Sequence, residues 1–193
     1  MKILAPNKIA ECLYNGEVII IPTETVYGIA CDARNNEAVK KIYQIKGRNF
    51  DKPLQVMVSR LETAENFLEF DERAKEYAKK YLPGALTMVL KKKENSNLSP
   101  FLNNNNDTLG LRIPNHKTLL EMLDLIDFPI AATSANLSGG KDNTSCEEAM
   151  EALKDTEIQN ALDGGKCIFS KPSTVADFTS KEIRIIRQGD LVI

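Results

Sequence analysis

VIIIPTETVYGIACDA, residues 18–33, sets a short apolar run against a turn crowded with polar side chains. Val18 to Ile21 reads as a buried strand bounded by Pro22. It delivers three hydroxyls, Thr23, Thr25 and Tyr27, and one carboxylate, Glu24, into a turn that ends at Gly28. Left unpaired, a buried hydroxyl loses about 1–3 kcal/mol. The turn is therefore a candidate floor for a polar ligand.

Upstream, Ile9, Cys12 and Leu13 suggest a helix ended by Asn15-Gly16. Downstream, Ala38, Val39, Ile42, Tyr43 and Ile45 recur at helical spacing, with Asn35 or Asn36 as N-cap and Gly47 as the stop. Leu54 to Val58 and Leu86 to Leu90 read as strands on either side of a helix faced by Ala74, Tyr77, Ala78 and Tyr81 and stopped at Pro83-Gly84. Residues 91–107, KKKENSNLSPFLNNNND, are polar and unpatterned, which predicts an exposed loop or hairpin tip. The second half alternates again. Strand Leu109–Ile113, helix Lys117–Leu125 and strand Ile130–Thr133 come first. Ser145 and Glu148 then form a capping box for a helix through Leu153. Strands follow around Cys167–Ser170, Thr174–Phe178 and Ile183–Ile186. Interleaved strands and helices without an internal repeat imply an α/β or mixed α+β fold, expected as one domain over residues 1–193, with a ligand site at strand ends and loops.

The composition of the 193 residues, 42% hydrophobic and 27% charged, provides for one substantial core. A net charge of −2 argues against a chain built mainly to coat nucleic acid, so an anionic ligand must be met by a local cluster of cations. The four cysteines, Cys12, Cys31, Cys146 and Cys167, form no C-x-x-C pair and suggest neither a zinc site nor a disulfide framework. No signal peptide pattern opens the chain and no apolar run approaches the roughly 20 residues that span a bilayer, so the expected location is cytoplasmic.

Several loop clusters at the ends of strands and helices carry hydroxyl, amide or cationic side chains. These clusters are Thr23–Tyr27, Lys46-Gly47-Arg48 with Lys52, Thr108 with Arg112, Ser134–Gly139, Ser173-Thr174 and Arg187-Gln188-Gly189. Their convergence would make a pocket for phosphate and carboxylate, arginine gripping with a planar fork and lysine acting as a point charge. Each cation taken alone is more simply a solvated surface residue, and Lys91–Lys93 keep that reading. Ser134-Ala135-Asn136-Leu137-Ser138-Gly139 fits an ordinary turn as well as a ligand loop. His116, the only histidine, precedes a helix and reads as a surface or capping residue, and a single histidine excludes a multi-histidine metal site. Neither the P-loop nor the G-x-G-x-x-G pattern is present.

Taken in order, PTETVYGIACDA, KGR with DKPL, LPGALT, LGLRIP, ATSANLSGG, STVAD and RQG resemble the YrdC-type threonylcarbamoyl-AMP synthases from about Gly16 to Gly189. The resemblance implies an open twisted α/β sheet flanked by helices around a deep, positively lined cavity. It implies a nucleotidyltransferase that makes threonylcarbamoyl-adenylate and pyrophosphate from L-threonine, bicarbonate and ATP, for threonylcarbamoyladenosine in tRNA. Lys46 and Arg48 would be the catalytic cations. The ATP side would comprise Lys46, Arg48, Lys52, Thr108, Ser134, Asn136 and Arg187, and the threonine side Thr25, Arg112 and Ser173. No dedicated metal cage is implied, and Mg2+ would be held mainly by the ATP phosphates. Lys52 stands where asparagine is frequent in the family, Met57 where longer relatives carry histidine, and Asp142 where serine is frequent.

Implied partners are downstream tRNA threonylcarbamoyl-transfer proteins and, weakly, tRNA itself, with no membrane. Two other readings remain open at this point. One is a related carbamoyl-adenylate-handling enzyme, such as the carbamoyltransferase domain of hydrogenase maturation. The other is an RNA-binding module of the same fold, weakened by the acidic charge balance and by 6% aromatic content without tryptophan.

Overall fold

Pro6 suits the first turn of a helix because its missing N–H falls among donors that a helix leaves unpaired anyway. In the computed structural model, which describes residues 1–193, helix α1 (Pro6–Tyr14) follows a two-residue strand, β1 (Lys2–Ile3). The chain enters β2 (Ile19–Ile21), crosses the hydroxyl turn and returns as β3 (Gly28–Asp32). Asn35 caps α2 (Asn36–Lys46) by accepting from the N–H groups of Glu37 and Ala38. Gly47 ends it at φ 57°, ψ 42°, a left-handed conformation that a Cβ disfavours. Next come β4 (Gln55–Met57), the short α3 (Leu61–Ala64) and α4 (Glu72–Tyr81), the last capped by Asp71. Strands β5 (Leu86–Lys91) and β6 (Thr108–Arg112) form an antiparallel pair. The remaining elements are α5 (Lys117–Leu123), β7 (Ile130–Ser134), α6 (Cys146–Ala152), β8 (Asn160–Ala161), β9 (Thr174–Asp177) and β10 (Arg184–Arg187).

Three expectations need correction. No strand forms around Cys167–Ser170; there the N–H of Cys167 donates to Thr144 O and those of Ile168 and Phe169 to Glu24 O, so the segment is a strap across the hydroxyl turn. The extra strand lies at Asn160–Ala161, too short for an alternation pattern. The loop after β5 is a hairpin tip as expected, but Ser99, Leu102 and Asn103 are buried and Pro100–Leu102 makes a 3₁₀ turn, so it is not simply exposed. The helix expected to reach Leu125 stops at Leu123.

All ten strands join one mixed sheet in the order β1-β8-β2-β3-β7-β4-β6-β5-β9-β10. One face is apolar along its length. Ile20, Ile29, Val56, Met88 and Leu111 pack there beneath Val39 and Ile42 of α2, Ala74 and Ala78 of α4, and Ala149 of α6. On the opposite face Ile19, Ile21, Ala30 and Ile130 are covered by Ile9 and Leu13 of α1 and by Leu119 and Met122 of α5. Register carries that second face onward through Ala132, Gln55, Gly110, Val89 and Arg112 to Thr87, Val175 and Arg187. Here most of the alternate positions turn small or polar, Val89 and Val175 aside, and the face opens as a cavity.

Candidate functional site

The cavity measures about 680 Å³, within the roughly 300–1,000 Å³ of small-molecule sites. Its charged lining consists of Arg48, Lys52, Arg112 and Arg187 against Asp51 and Asp142, so cations prevail.

At one end, the hydroxyl turn supports Arg112. Thr23 Oγ1 accepts from the N–H groups of Thr25 and Val26, each at 3.1 Å, and donates to Val26 O at 2.7 Å. With its one proton spent, Thr23 must accept from Thr25 Oγ1 at 2.9 Å. Thr25 Oγ1 in turn accepts from Arg112 Nη2 at 2.7 Å. The same Nη2 lies 3.0 Å from Glu24 Oε2, and both side chains of this ion pair are at most 3% exposed. The approach is close without being aligned as a hydrogen bond, and both Glu24 oxygens and Arg112 Nε lack hydrogen-bond partners. Tyr27 faces away from the cavity. Its hydroxyl is shared between Asp163 Oδ1 and Gly165 O and accepts from Gly164 N–H, and burial raises its pKa.

At the other end, the C-terminus of α2 meets the loop after β7. Lys46 Nζ donates to Ser134 O at 2.6 Å, Asn136 O at 2.7 Å and Asn136 Oδ1 at 2.8 Å. Burial, with the charge of Arg48 adding to it and Asp142 opposing, pushes the Lys46 ammonium down to about 8. Ser134 Oγ also donates to Asn136 Oδ1, and Asn136 Nδ2 donates to the carbonyls of Gly140 and Lys141. Arg48 donates to Thr133 Oγ1 and to Pro53 O from its two terminal nitrogens, while its Nε is buried without a partner. Burial lowers its pKa.

Arg187, on β10, donates from Nε and Nη2 to Ser173 O and from Nη2 to Ser173 Oγ. Gly189 makes that contact feasible, since a Cβ there would fall 2.3 Å from Pro172 O and 2.7 Å from Thr174 N. Burial lowers the Arg187 pKa, Asp142 opposes, and the nearby charges of Arg112 and Arg48 lower it further, which marks the three arginines as one cationic group. Ser173 Oγ is within 2.8 Å of Thr87 Oγ1, which donates to Gln55 Oε1.

Of the ten residues expected at the site, Arg48, Lys52, Thr108, Arg112, Ser134, Ser173 and Arg187 line the cavity. Thr25, Lys46 and Asn136 stand directly behind, each hydrogen-bonded to a lining residue, Arg112 or Ser134. Gln55, Asn103 and Asn106, outside the quoted motifs, and Thr87 and Gly110, inside LPGALT and LGLRIP but given no site role, also line it. A signal was available: within the apolar strands LQVMV, LTMVL and TLGLR the residues Gln55, Thr87 and Gly110 break the pattern. Met57 is buried in the smaller core beside Ile130 and does not line the cavity. His116 is the N-cap of α5, its Nδ1 accepting from Leu119 N–H at 3.4 Å, and burial lowers its pKa. No group of three or more His, Cys, Asp or Glu side chains is placed to hold a metal ion, and no helix is long and apolar enough to cross a membrane.

Residues 11–189 match the model of the family Sua5_yciO_yrdC, described as telomere recombination. A Methanocaldococcus jannaschii protein is 38% identical over 94% of this chain and 84% of its own length. The threonylcarbamoyl-AMP synthase of Bacillus subtilis is also 38% identical over 94% of this chain, which spans only 52% of that protein. The crystal structure of Pyrococcus abyssi Sua5 complexed with L-threonine superposes with a TM-score of 0.93 at 33% identity, covering 99% of this chain and 58% of that one. The chain thus spans little more than half the length of these two relatives. On the family match along most of its length, the chain belongs to the Sua5/YciO/YrdC family.

Proposed function

We propose that this chain forms threonylcarbamoyl-adenylate and pyrophosphate from L-threonine, bicarbonate and ATP, in the service of tRNA threonylcarbamoyladenosine synthesis. The observation that carries the reading is the cationic cavity itself, walled by seven motif residues drawn from separate stretches of the chain. The name of the Bacillus relative and the threonine held by the Pyrococcus structure supply the chemistry.

Arg112 is the anchor for the threonine carboxylate. A guanidinium can offer two parallel charge-assisted hydrogen bonds, and Thr25 and Glu24 hold its plane from behind. Ser173 adds a hydroxyl at the junction with Arg187. Arg48 and Arg187 face the phosphates, with Lys52 at the rim, Thr108 and Ser134 on the nucleotide side, and Asn136 behind Ser134. Mg2+ enters with ATP as part of the substrate. Two carboxylates on the wall, Asp51 and Asp142, suit an ion that keeps most of its coordination to phosphate and water. Its chemistry is to neutralise charge on the phosphates.

A carboxylated threonine nitrogen is unstable in water. Holding it beside the α-phosphate inside a walled cavity gains from proximity and from exclusion of water. Charge then grows on the α-phosphate and the leaving pyrophosphate, where preorganised guanidinium groups act. The product adenylate would pass to tRNA threonylcarbamoyl-transfer proteins, with tRNA itself bound weakly at most.

The test is mass spectrometry of a reaction containing the protein, Mg2+, ATP, L-threonine and labelled bicarbonate. A labelled adenylate with release of pyrophosphate, both lost when threonine is omitted, is expected. Threonine-independent release of inorganic phosphate without an adenylate would sink the reading.

A further inference from the structure

Lys46 is the one expected catalytic cation that does not line the cavity. It is 3% exposed, and its ammonium carries three protons and no acceptor. All three have partners on one short stretch of loop, at 2.6, 2.7 and 2.8 Å. The Lys46 carbonyl grips the same loop, accepting from Ser138 N–H at 2.9 Å. A phosphate oxygen would therefore have to displace a bond already made, whereas Arg48 and Arg187 already stand on the wall.

What the ammonium holds is itself organised. Asn136 Oδ1 accepts from both Lys46 Nζ and Ser134 Oγ, which fixes the amide so that Nδ2 points at the carbonyls of Gly140 and Lys141. Two residues on the wall, Ser134 and Asp142, sit at the ends of this chain of bonds. Gly139, at φ 81°, has no atom within 4 Å of the place a Cβ would take, and the loop's outer turn is held by these bonds together with the backbone bonds of Ser138 N–H to Lys46 O and Gly140 N–H to Leu137 O.

We infer that Lys46 is a positioning residue: its ammonium is a strut that fixes the loop from Ser134 to Asp142, and Arg48 and Arg187 are the cations that meet phosphate. The strut stands on the bonds of Lys46 and Asn136, and only the identity of the ligand the cavity takes rests on the synthase reading.

Two measurements test it. In the unmodified protein, competitive acylation of amines read by mass spectrometry should label Lys46 at least tenfold more slowly than the exposed Lys52. Saturating Mg-ATP should protect Lys52 and leave the Lys46 rate unchanged. In Lys46→Met, which keeps the stem and removes the donors, amide hydrogen exchange without nucleotide should speed up at least tenfold over residues 135–140, while α1 and α5 keep their wild-type protection. Lys46 labelling as fast as Lys52 and protected by Mg-ATP would overturn the strut, as would a Lys46→Met loop with unchanged exchange. If Lys46→Met does not fold, the labelling result decides alone. Slow Lys46 labelling and a loosened loop, with Lys52 indifferent to Mg-ATP, would keep the strut and remove the nucleotide reading instead.

Discussion

Two halves of a single sheet face share a backbone and differ in what their alternate residues are. Over β2, β3 and β7 those positions are Ile19, Ile21, Ala30 and Ile130, and α1 and α5 lie on them. Over β4, β6, β5, β9 and β10 they include Gln55, Thr108, Gly110, Arg112, Thr87 and Arg187, with Val89 and Val175 as the apolar exceptions, and the face is a cavity. An apolar strip gains free energy by recruiting a helix, at about 25 cal/mol per Å² removed from water. A strip of hydroxyls and guanidinium groups would lose free energy beneath the same helix unless every group found a partner. The site is thus the part of the face that its residues make too expensive to roof. Stability should belong to the covered half and chemistry to the open half.

The largest effect expected of breaking this division is in the covered half. Leu13 is fully buried against the sheet, and Leu13→Ala removes its contacts and leaves a cavity, at a cost of about 2–5 kcal/mol. Urea denaturation should show the loss, while turnover per folded molecule stays within a factor of two of wild type. A fall in turnover without a fall in stability would end the separation of the halves.

Arg48→Ala is the mirror experiment. Two hydrogen bonds from a charged donor are lost, each worth at most about 1.5–3 kcal/mol of stability, so the protein should be weakened but folded. Pyrophosphate release should drop about 10²- to 10³-fold, the effect of losing one preorganised donor to developing charge. Near-normal turnover would leave Arg48 a structural brace to Thr133 and Pro53 and not a phosphate cation.

The covered half was the more legible one in the sequence. Apolar spacing of Ile9, Cys12 and Leu13 in α1 is a local signal there, as are the spacing in α2, the cap Asn35 and the stop at Gly47 on the opposite face, and the structure follows them. Short elements left no such trace: β8 pairs only Asn160 and Ala161, held by neighbours on both sides, and a two-residue strand has no period. At the site, the roles were assigned to loops and strand ends and the floor went unassigned, because Gln55 and Thr87 lie inside strands that read as apolar. Lys46 was legible as a cation beside the site. That its three donors are already spent depends on where the loop after β7 lies, some 90 residues later in the chain, which spacing cannot convey.

The boundary between the halves is where the division should fail. Arg112 faces the cavity, sits beside Met57 of the covered core through strand pairing, and carries the buried pair with Glu24. Arg112→Lys keeps the charge and loses the fork, so both functions should suffer, each by about 1.5–3 kcal/mol, the value of a hydrogen bond to a charged group. Denaturation should report the lost contact with Thr25. Titration calorimetry should show weaker threonine binding with ATP binding, measured without threonine, little changed. Lost ATP binding with threonine retained would reverse the two ends of the cavity.

Lys52 should give the smallest effect, and it tests whether lining the cavity is enough to matter. It is exposed, its backbone carbonyl accepts from Tyr43 Oη, and no side-chain partner fixes its ammonium. A flexible exposed cation meets phosphate as a screened point charge, so Lys52→Ala should raise the KM for ATP only about two- to fivefold at low ionic strength. Screening shortens from about 10 Å at 0.1 M salt to about 3 Å at 1 M, so the difference from wild type should vanish in high salt. The Arg48→Ala defect should persist there, because its guanidinium is half-buried and held by Thr133 and Pro53. Steady-state kinetics of both variants across a salt series separates the two cases. A large Lys52→Ala defect that survives high salt would mean that the rim closes over the nucleotide, and that the open half of the sheet face is open only while it is empty.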